Sequence, residues 1–257
     1  MDELQGRVAV ITGGASGMGL AFAHRFAAAG MKVVLGDIEE PALDAAVAGL
    51  REGGAEVLGV RCDVSDADSV HALAAATEEA FGAAHVICLN AGVAGSGALH
   101  EQSLADWQWI LGVNLMGVAH GISAFLPGLI ERDEGHVVVT ASVAGHTAYP
   151  GLGIYSATKH AASVIAETLY NELTSSGSKV GATALCPGFV DTGIFDSARN
   201  RPEHLTDTLP DLDTDEDRAT REAFLEMIAS EALKPDAVAD LVHDAILDGT
   251  FWVFTDD

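Results

Sequence analysis

The chain has 257 residues, of which 49% are hydrophobic, and this length and composition suit one or two domains with a sizeable buried core. It carries 38 acidic and 13 basic residues, which gives a formal net charge of −25 and a sequence pI near 4.4. This balance argues against a nucleic-acid partner and an anionic membrane surface, because both are bound through clustered Lys and Arg.

Short β-rich runs alternate with longer Ala-rich helical segments along the chain. The predicted strands are Val8–Ile11, Lys32–Leu35, Glu56–Arg61, His85–Leu89, His136–Ala141, Val180–Leu185 and Phe251–Phe254. The predicted helices are Gly17–Ala29, Pro41–Arg51, Asp66–Phe81, Ser103–Glu131, Tyr155–Thr174 and Pro235–Leu247. Several strands are apolar without strict alternation, which is typical of a sheet covered on both faces. The pattern therefore predicts an α/β fold with a parallel sheet, helices on both faces and right-handed crossovers.

One segment interrupts this alternation. Residues 193–231 show no strand pattern, residues 203–217 include seven acidic side chains, and Ala219–Ala232 predicts a helix. An insertion between a strand and the next helix lies beyond the carboxyl ends of the strands, where open α/β sheets bind ligands. We interpret it as a substrate lid within a single domain of residues 1–257. A solvated acidic loop is the alternative.

The N-terminus and the cysteines predict a cytoplasmic protein. The segment Met1–Arg7 lacks the charged and then apolar layout of a signal peptide, and no uninterrupted apolar stretch reaches membrane-spanning length. Cys62, Cys88 and Cys186 have neither CxxC nor Cys/His zinc spacing, so we expect buried free thiols and no metal site.

Two helical segments are more apolar than a surface helix needs to be. The apolar residues of Tyr155–Leu173 form no single stripe, and Leu104–Ile130 behaves similarly. A helix that is apolar nearly all round needs burial on a second side. We therefore expect these helices to build a subunit interface in a homo-oligomer.

The glycine-rich segment Thr12–Gly19 follows the first strand and opens the first helix. Glycines at Gly13, Gly17 and Gly19 allow a tight turn and a close approach to a pyrophosphate, and Ser16 and Met18 lie where the helix N-terminus offers free N–H groups. The spacing is TGxxxGxG rather than the commoner GxGxxG. Its position between strand and helix nevertheless predicts a dinucleotide site.

Asp37 ends the second predicted strand, eighteen residues after Gly19. A carboxylate there can accept hydrogen bonds from the adenosine ribose hydroxyls and repels a 2′-phosphate. No Lys or Arg lies within Thr12–Gly19 to offset that repulsion, so the sequence favours NAD over NADP. The alternative is that Asp37 caps the helix that begins near Pro41.

Two further strand ends suit the adenine side of the same site. Asp63 and Val64 follow the third strand, although Asp63 could equally cap the next helix. Asn90, Ala91 and Gly92 close the fourth strand with a small turn.

Ser142, Tyr155 and Lys159 form the most informative set of polar residues. Tyr155 and Lys159 are four residues apart at the start of a predicted helix, which puts a phenol and an ammonium on one face. Ser142 lies thirteen residues before Tyr155, at the end of an apolar run. A hydroxyl, a phenol and a nearby cation can polarise a carbonyl oxygen and exchange a proton with it. Beside a dinucleotide, this set indicates an enzyme that moves a hydride.

Together these motifs resemble the short-chain dehydrogenase/reductase family over nearly the whole chain. The matching elements, in the family's order, are TGxxxGxG at Thr12–Gly19, Asn90–Gly92, Asn114, Ser142, YxxxK at Tyr155–Lys159 and Pro187–Gly188. The resemblance implies a doubly wound Rossmann-type fold with a seven-stranded parallel sheet, a nicotinamide cofactor, and a dimer or tetramer.

The resemblance also implies a role for each matching residue. Tyr155 is the general acid/base, and we expect Lys159 and the nicotinamide to lower its pKa from the ordinary value near 10. Lys159 also holds the nicotinamide ribose, Ser142 donates to the developing oxyanion, and Asn114 anchors a water that leads to Lys159. The segment that meets the nicotinamide end comprises Pro187, Gly188, Val190 and Thr192.

The substrate implied is a secondary alcohol or its ketone. Its expected pocket is mostly apolar, which suggests an apolar or alicyclic molecule, and is formed by Ala94, Ser96, Val143, His146, Tyr149, Leu152, Phe189 and Phe195. Steroid or 3-hydroxyacyl-thioester dehydrogenation, and a non-catalytic dinucleotide-binding regulator, remain alternatives. The sequence has neither the Lys-Ser/Thr phosphate loop of nucleotide hydrolases nor the GxSxG of serine hydrolases.

Overall fold

A computed structural model describes residues 1, 3–206 and 232–255 of the chain. Its strands are β1 (Val8–Thr12), β2 (Lys32–Asp37), β3 (Val57–Arg61), β4 (Val86–Leu89), β5 (His136–Thr140), β6 (Gly181–Cys186) and β7 (Trp252–Phe254). Its α-helices are α1 (Gly17–Ala28), α2 (Glu40–Glu52), α3 (Ala67–Phe81), α4 (Leu104–Leu111), α5 (Gly117–Arg132), α6 (Gly153–Ser176) and α7 (Pro235–Asp248). The strands form one parallel sheet in the order β3-β2-β1-β4-β5-β6-β7, so the predicted doubly wound seven-stranded fold is confirmed.

The central strands are buried on both faces, which explains their continuous apolar character. All five residues of β1 are buried, and alternate side chains enter different cores: Ala9 and Ile11 pack on one face, and Val8 and Val10 on the other. Burying each Val or Ile side chain contributes about 1.5–3 kcal/mol. Side chains of α1, α2 and α7 cover the first face, and those of α3, α5 and α6 cover the second.

The order of the strands positions the site. Strand β1 pairs with β2 on one side and β4 on the other, so the connections after β1 and β4 run in opposite directions. A crevice opens between them at the carboxyl ends of the strands. Thr12, Asp37 and Thr140, at the ends of β1, β2 and β5, all lie at this edge.

The helix expected over Ser103–Glu131 forms as one continuous helical stretch that contains an unexpected π-helical turn, and most other element boundaries differ by only one or two residues. Helix α4 begins with a capping box between Ser103 and Asp106 and is followed by a π-helical turn, Gly112–Met116, before α5. Asn114 lies in that turn and binds the backbone of Val93 outside the helix. Such π-turns commonly mark functional positions within helices.

The continuous helical stretch Leu104–Arg132 contains an 18-residue segment with a mean hydropathy of 1.5, so it is long and apolar enough to cross a membrane by length and composition alone. By that measure the expectation that no stretch reaches membrane-spanning length was wrong. Val118, Phe125 and Leu129 of this stretch are buried in the core on the sheet. It therefore packs here as a core helix of an α/β fold.

The segment after β6 returns over the crevice. Residues 193–205, which we call the strap, contain two 3₁₀ turns, Gly193–Asn200 and Glu203–Leu205. The rest of the expected lid, most of its acidic run and nearly all of the helix expected at Ala219–Ala232 lie outside the described residues. The chain is described again before α7, where Leu233 forms a parallel bridge with Val190.

Candidate active site

The glycine-rich turn after β1 has a shape that side chains would prevent. Gly13 and Gly17 have φ values of +64° and +51°, a region that favours glycine. A Cβ at Gly19 would lie 2.0 Å from the Gly13 carbonyl oxygen. The turn leads into α1 at Gly17, and Ser16 precedes the helix without a side-chain cap, so the first N–H groups of α1 are available to an anion.

Hydrogen bonds tie this turn to the end of β4. The Thr12 hydroxyl oxygen accepts from the N–H groups of Asn90 and Ala91 at 3.0 and 3.1 Å. The Asn90 amide donates to the Thr12 carbonyl at 3.0 Å. A Cβ at Gly13 would lie 2.9 Å from the Ala91 Cα, so the two strand ends pack without an intervening side chain. Asn90 and Ala91 thus form the opposite wall of the turn.

Asp37 is buried at the end of β2 and bonded through both carboxylate oxygens. Oδ2 accepts from the Ala15 N–H at 2.9 Å, and Oδ1 accepts from the Glu39 N–H at 3.0 Å. Helix α2 has Glu39 as its N-cap, so the alternative that Asp37 caps it was wrong. Asp63 likewise accepts from Ser65, while Asp66 caps α3.

Ser142, Tyr155 and Lys159 come together at the other end of the crevice. Lys159 lies one turn after Tyr155 on α6, with Nζ 5.6 Å from the centre of the Tyr155 ring. Nζ donates to the Thr140 carbonyl at 2.8 Å. Ser142 caps a 3₁₀ turn by accepting from the Ala144 N–H, and its hydroxyl donates to the Pro187 carbonyl at 3.3 Å. The three side chains therefore belong to one constellation built by β5, α6 and the end of β6.

Burial is the largest influence on the pKa values of Tyr155 and Lys159. Burial raises the pKa of Tyr155 above its ordinary value, and a hydrogen bond with Ser142 partly offsets this rise. Burial lowers the pKa of Lys159 to about 8. Burial thus sets the direction of the Tyr155 pKa shift in the protein alone, and the joint effect of Lys159 and the nicotinamide on that pKa stays a prediction.

Asn114 is buried behind the same constellation. Its Oδ1 accepts from the Val93 N–H at 2.8 Å, and its Nδ2 donates to the Val93 carbonyl at 2.9 Å and to the Thr158 hydroxyl at 3.2 Å. Both amide hydrogens are thus engaged within the protein. A water at residue 114 would bind the main-chain carbonyl or the remaining lone pair of Oδ1.

A continuous cavity joins the glycine-rich turn to the constellation. Fourteen of the predicted site residues line it: Gly13, Ser16, Gly17, Met18, Asp37, Asp63, Val64, Asn90, Ala91, Gly92, Tyr155, Lys159, Pro187 and Thr192. Gly19, Asn114 and Ser142 lie behind this lining. Gly188 and Val190 do not line it either: the Gly188 N–H donates to the Thr255 hydroxyl, and Val190 is buried in the bridge to Leu233.

The expected substrate pocket lies apart from the residues that line this cavity, and its assignment stays a prediction. None of its eight residues, Ala94, Ser96, Val143, His146, Tyr149, Leu152, Phe189 and Phe195, lines this cavity. His146 instead contacts the Cys186 sulfur and the rings of Trp252 and Phe254. The cavity lining includes the apolar side chains of Trp109, Val113 and Ile194.

The strap supplies cavity residues that sequence patterns missed. Ser197 hydrogen-bonds both the N–H and the carbonyl of Ala94 at 3.0 Å, and Arg201 bonds Asp106 at 2.5 Å. Arg199 and Asn200 reach Glu39 at the opposite end of the cavity. No periodicity marks these residues, and only the concentration of polar side chains within 196–203 hinted at a role.

The cavity residues fit an NAD(P) molecule. A turn that only glycine can form leads to a helix N-terminus suited to the pyrophosphate, and Asp37 lies where adenosine hydroxyls would bind. The same cavity ends at Tyr155 and Lys159, where a nicotinamide ring would face the substrate.

Comparisons with known proteins agree with this geometry. The family model described as short chain dehydrogenase matches residues 7–203. A 2,5-dichloro-2,5-cyclohexadiene-1,4-diol dehydrogenase, LinX, from Sphingobium indicum is 36% identical over 193 residues, which cover 75% of this chain and 76% of LinX.

Two solved structures are similar throughout. A short chain dehydrogenase/reductase from Burkholderia phymatum in complex with NAD has a TM-score of 0.94 and 47% identity, covering 99% of this chain and 90% of that one. A variant of the actinorhodin polyketide ketoreductase with NADPH has a TM-score of 0.82 and 29% identity, covering 99% and 97%.

Proposed function

The chain belongs to the short-chain dehydrogenase family of oxidoreductases, and we propose that it interconverts a secondary alcohol and a ketone with NAD, using Tyr155 as the general acid/base. The observation that carries this proposal is the continuous cavity from Asp37 and the glycine-rich turn to Tyr155 and Lys159. A hydride carrier and a proton carrier would meet at one end of that cavity.

The glycine-rich turn and the walls of the cavity would hold the cofactor. The N–H groups of α1 would bind the pyrophosphate, Asp37 would accept hydrogen bonds from the adenosine ribose, and Lys159 and Thr192 would hold the nicotinamide end. The nicotinamide, when bound, accepts or supplies the hydride. These residues would bind and orient the cofactor. The proton would then be handled by Tyr155 and Lys159 of α6, with Ser142 just after β5.

Tyr155 is proposed to carry that proton on its phenolic oxygen. In alcohol oxidation the phenolate would take the hydroxyl proton of the substrate, and in ketone reduction the phenol would return it. Ser142 would hold the substrate oxygen and stabilise its negative charge. Because burial raises the pKa of Tyr155, the phenolate needs the positive charges of Lys159 and the oxidised nicotinamide together.

Lys159 and Asn114 are proposed to connect Tyr155 to solvent. Gly92 lies between them, since a Cβ there would stand 3.6 Å from both Asn114 Oδ1 and Lys159 Nζ. A water held at residue 114 would then accept a proton from Lys159, whose pKa near 8 lets it exchange protons at neutral to mildly alkaline pH.

The preference for NAD is proposed from the acidic adenosine end. Asp37 and Glu39 both line that end of the cavity, and a 2′-phosphate would bring a further negative charge beside them. The complex of the Burkholderia phymatum protein with NAD supports this assignment. The polyketide ketoreductase complex with NADPH is the competing precedent.

An apolar or alicyclic alcohol is the proposed substrate. Trp109, Val113 and Ile194 are large apolar side chains in the cavity lining, which supports an apolar substrate. LinX, named for a cyclohexadiene diol, supports an alicyclic ring in particular. A steroid or a 3-hydroxyacyl thioester remains the alternative within the same chemistry.

A homo-oligomer is proposed from the exposed apolar side chains of the helical stretch Leu104–Arg132 and of α6. Met116, Ile130 and Val164 are 44%, 50% and 61% exposed, which is high for large apolar side chains on packed helices. Burying them against a second copy would remove apolar surface from water. Light scattering that gives only the monomer mass would contradict this part of the proposal.

The decisive experiment compares Tyr155→Phe with the wild type. A panel of cyclic and acyclic secondary alcohols with NAD is followed by the appearance of NADH absorbance. Removing the phenolic oxygen is expected to reduce turnover by at least about 100-fold, while NADH binding, followed by fluorescence, stays within about twofold because the ring remains.

Tyr170→Phe is the matched control, since Tyr170 lies on the same helix and stacks on Phe251 through its ring alone. It should turn over like the wild type. Wild-type protein that binds NADH but oxidises no alcohol in a broad panel would favour the regulator, and normal turnover by Tyr155→Phe would refute the assigned role.

A further inference from the structure

One guanidinium faces the adenosine end of the cavity, and it comes from the strap. Arg199 lines the cavity together with Asp37, Ile38 and Glu39. Its Nη2 lies 2.7 Å from Glu39 Oε1. Asn200 donates to the same oxygen at 2.6 Å. The preference for NAD therefore cannot rest on the absence of Lys and Arg from Thr12–Gly19 alone.

The position of Arg199 does not depend on Glu39 alone. Its other terminal nitrogen, Nη1, donates to the main-chain carbonyls of Asp196 at 2.9 Å and Gly193 at 3.2 Å. The strap itself is anchored at Ala94 through Ser197 and at Asp106 through Arg201. Removing the Glu39 charge would thus release Nη2 while the guanidinium stays at the cavity wall.

Glu39 is well suited to keep that guanidinium occupied. Hydrogen bonds from Asn200 and Arg199 lower the pKa of Glu39, so it remains ionised at neutral pH. The Glu39 side chain is 28% exposed and that of Arg199 is 37% exposed, so water screens the pair only in part. A free guanidinium in this place presents paired N–H donors that match a phosphate group.

We propose that Glu39 determines cofactor specificity by occupying Arg199, a guanidinium that would otherwise bind the 2′-phosphate of NADP. The inference rests on the proposed nicotinamide-dependent function. Two residues would then discriminate between NAD and NADP. Asp37 would accept hydrogen bonds from the ribose hydroxyls, and Glu39 would both repel the 2′-phosphate and keep Arg199 from binding it.

The test titrates NADH and NADPH separately into the wild type, Glu39→Gln and the double variant Glu39→Gln/Arg199→Gln, with nicotinamide fluorescence as the readout. Glu39→Gln should raise the ratio of NADPH to NADH affinity by about tenfold, as expected when a guanidinium–phosphate contact replaces a repulsion. The second substitution should remove most of that gain. The gain should also shrink at high salt, because the contact is ionic.

Glu40→Gln is the matched control. It removes the same charge one residue along, where Glu40 faces Arg61 at 3.8 Å outside the cavity lining. The affinity ratio should stay within about twofold of the wild type, since an exposed pair contributes little.

Each result has a distinct meaning. An unchanged ratio in Glu39→Gln, or a gain kept in full by the double variant, would overturn the role of Arg199 while leaving the proposed function intact. A wild-type protein that binds neither nucleotide would instead overturn the proposed function, and the inference with it.

Discussion

The carboxylate of Asp37 accepts a hydrogen bond of 2.9 Å from the main-chain N–H of Ala15, so the end of β2 holds the glycine-rich turn in place. The same carboxylate accepts from the Glu39 N–H and lines the cavity. One side chain thus shapes the turn and, in the proposed function, would present its charge to the adenosine ribose. Its substitution should affect folding and cofactor choice together.

Asp37→Ala should weaken NADH binding and relax the discrimination against NADPH. It should also lower the free energy of unfolding by about 1–3 kcal/mol, because the Ala15 N–H is buried and loses its partner. Asp37→Asn keeps an acceptor oxygen without the charge, so it should change the affinity ratio with a smaller loss of stability. Urea unfolding and nucleotide titration of both variants check this prediction. Equal stability of Asp37→Ala and the wild type would contradict the anchoring role.

Ser142→Ala should shift the pH dependence of alcohol oxidation to higher pH. Burial raises the pKa of Tyr155, and the hydrogen bond with Ser142 lowers it. Without that bond the phenolate forms only at higher pH, so the rising limb of kcat/KM should move up while ketone reduction persists to higher pH. A profile of kcat/KM from pH 6 to 10 measures the shift. A uniform loss of rate with an unmoved limb would mean that Ser142 acts on the substrate alone.

Gly19→Ala should disrupt the dinucleotide turn. Its Cβ would lie 2.0 Å from the Gly13 carbonyl oxygen, so the backbone must move, at a cost of about 1–3 kcal/mol in stability. NADH affinity should fall by at least about tenfold as α1 shifts. Gly49→Ala, at an exposed position of α2, is the control, since nothing lies within 4 Å of its Cβ. It should stabilise the protein by about 0.5–1 kcal/mol without changing NADH affinity. Thermal unfolding and NADH titration of both variants check this prediction. Equal NADH affinity of Gly19→Ala and Gly49→Ala would contradict it.

The fold was predictable because its signals are local. Apolar runs such as Val8–Ile11 and the alternation with Ala-rich helices identify a covered parallel sheet, and the spacing of Tyr155 and Lys159 places both on one helix face. The strap was not predictable in this way. Arg199 reaches Glu39 across 160 residues, and its role depends on where the tertiary fold brings the two together.

The π-turn at Asn114 and the pKa of Tyr155 also depend on the tertiary fold. Nothing in the sequence around Asn114 distinguishes a π-turn from an α-helix, and the hydrogen bond between Asn114 and Val93 forms only in the folded chain. The direction of the Tyr155 pKa shift also depends on tertiary burial, which raises the pKa, and on a hydrogen bond with Ser142, which lowers it. Sequence spacing identifies the groups of this site, whereas burial sets their protonation.

His136 should make the protein sensitive to acid. Burial lowers the pKa of His136 to about 3, against an ordinary value near 6.5, so the unfolded chain binds one more proton between those two pH values. This contribution to stability is complete above about pH 6.5 and is lost as the pH falls toward 3. His136→Gln keeps a donor for the Thr183 hydroxyl, which the His136 Nε2 contacts at 2.8 Å, but it does not titrate. Between pH 6.5 and 4.5 the wild type should lose about 2–3 kcal/mol more unfolding free energy than this variant, since each pH unit corresponds to 1.36 kcal/mol.

His71→Gln, at an exposed position on α3, is the control and should follow the wild-type curve. Urea unfolding at several pH values provides the comparison, and parallel curves for wild type and His136→Gln would show that His136 is not the titrating group.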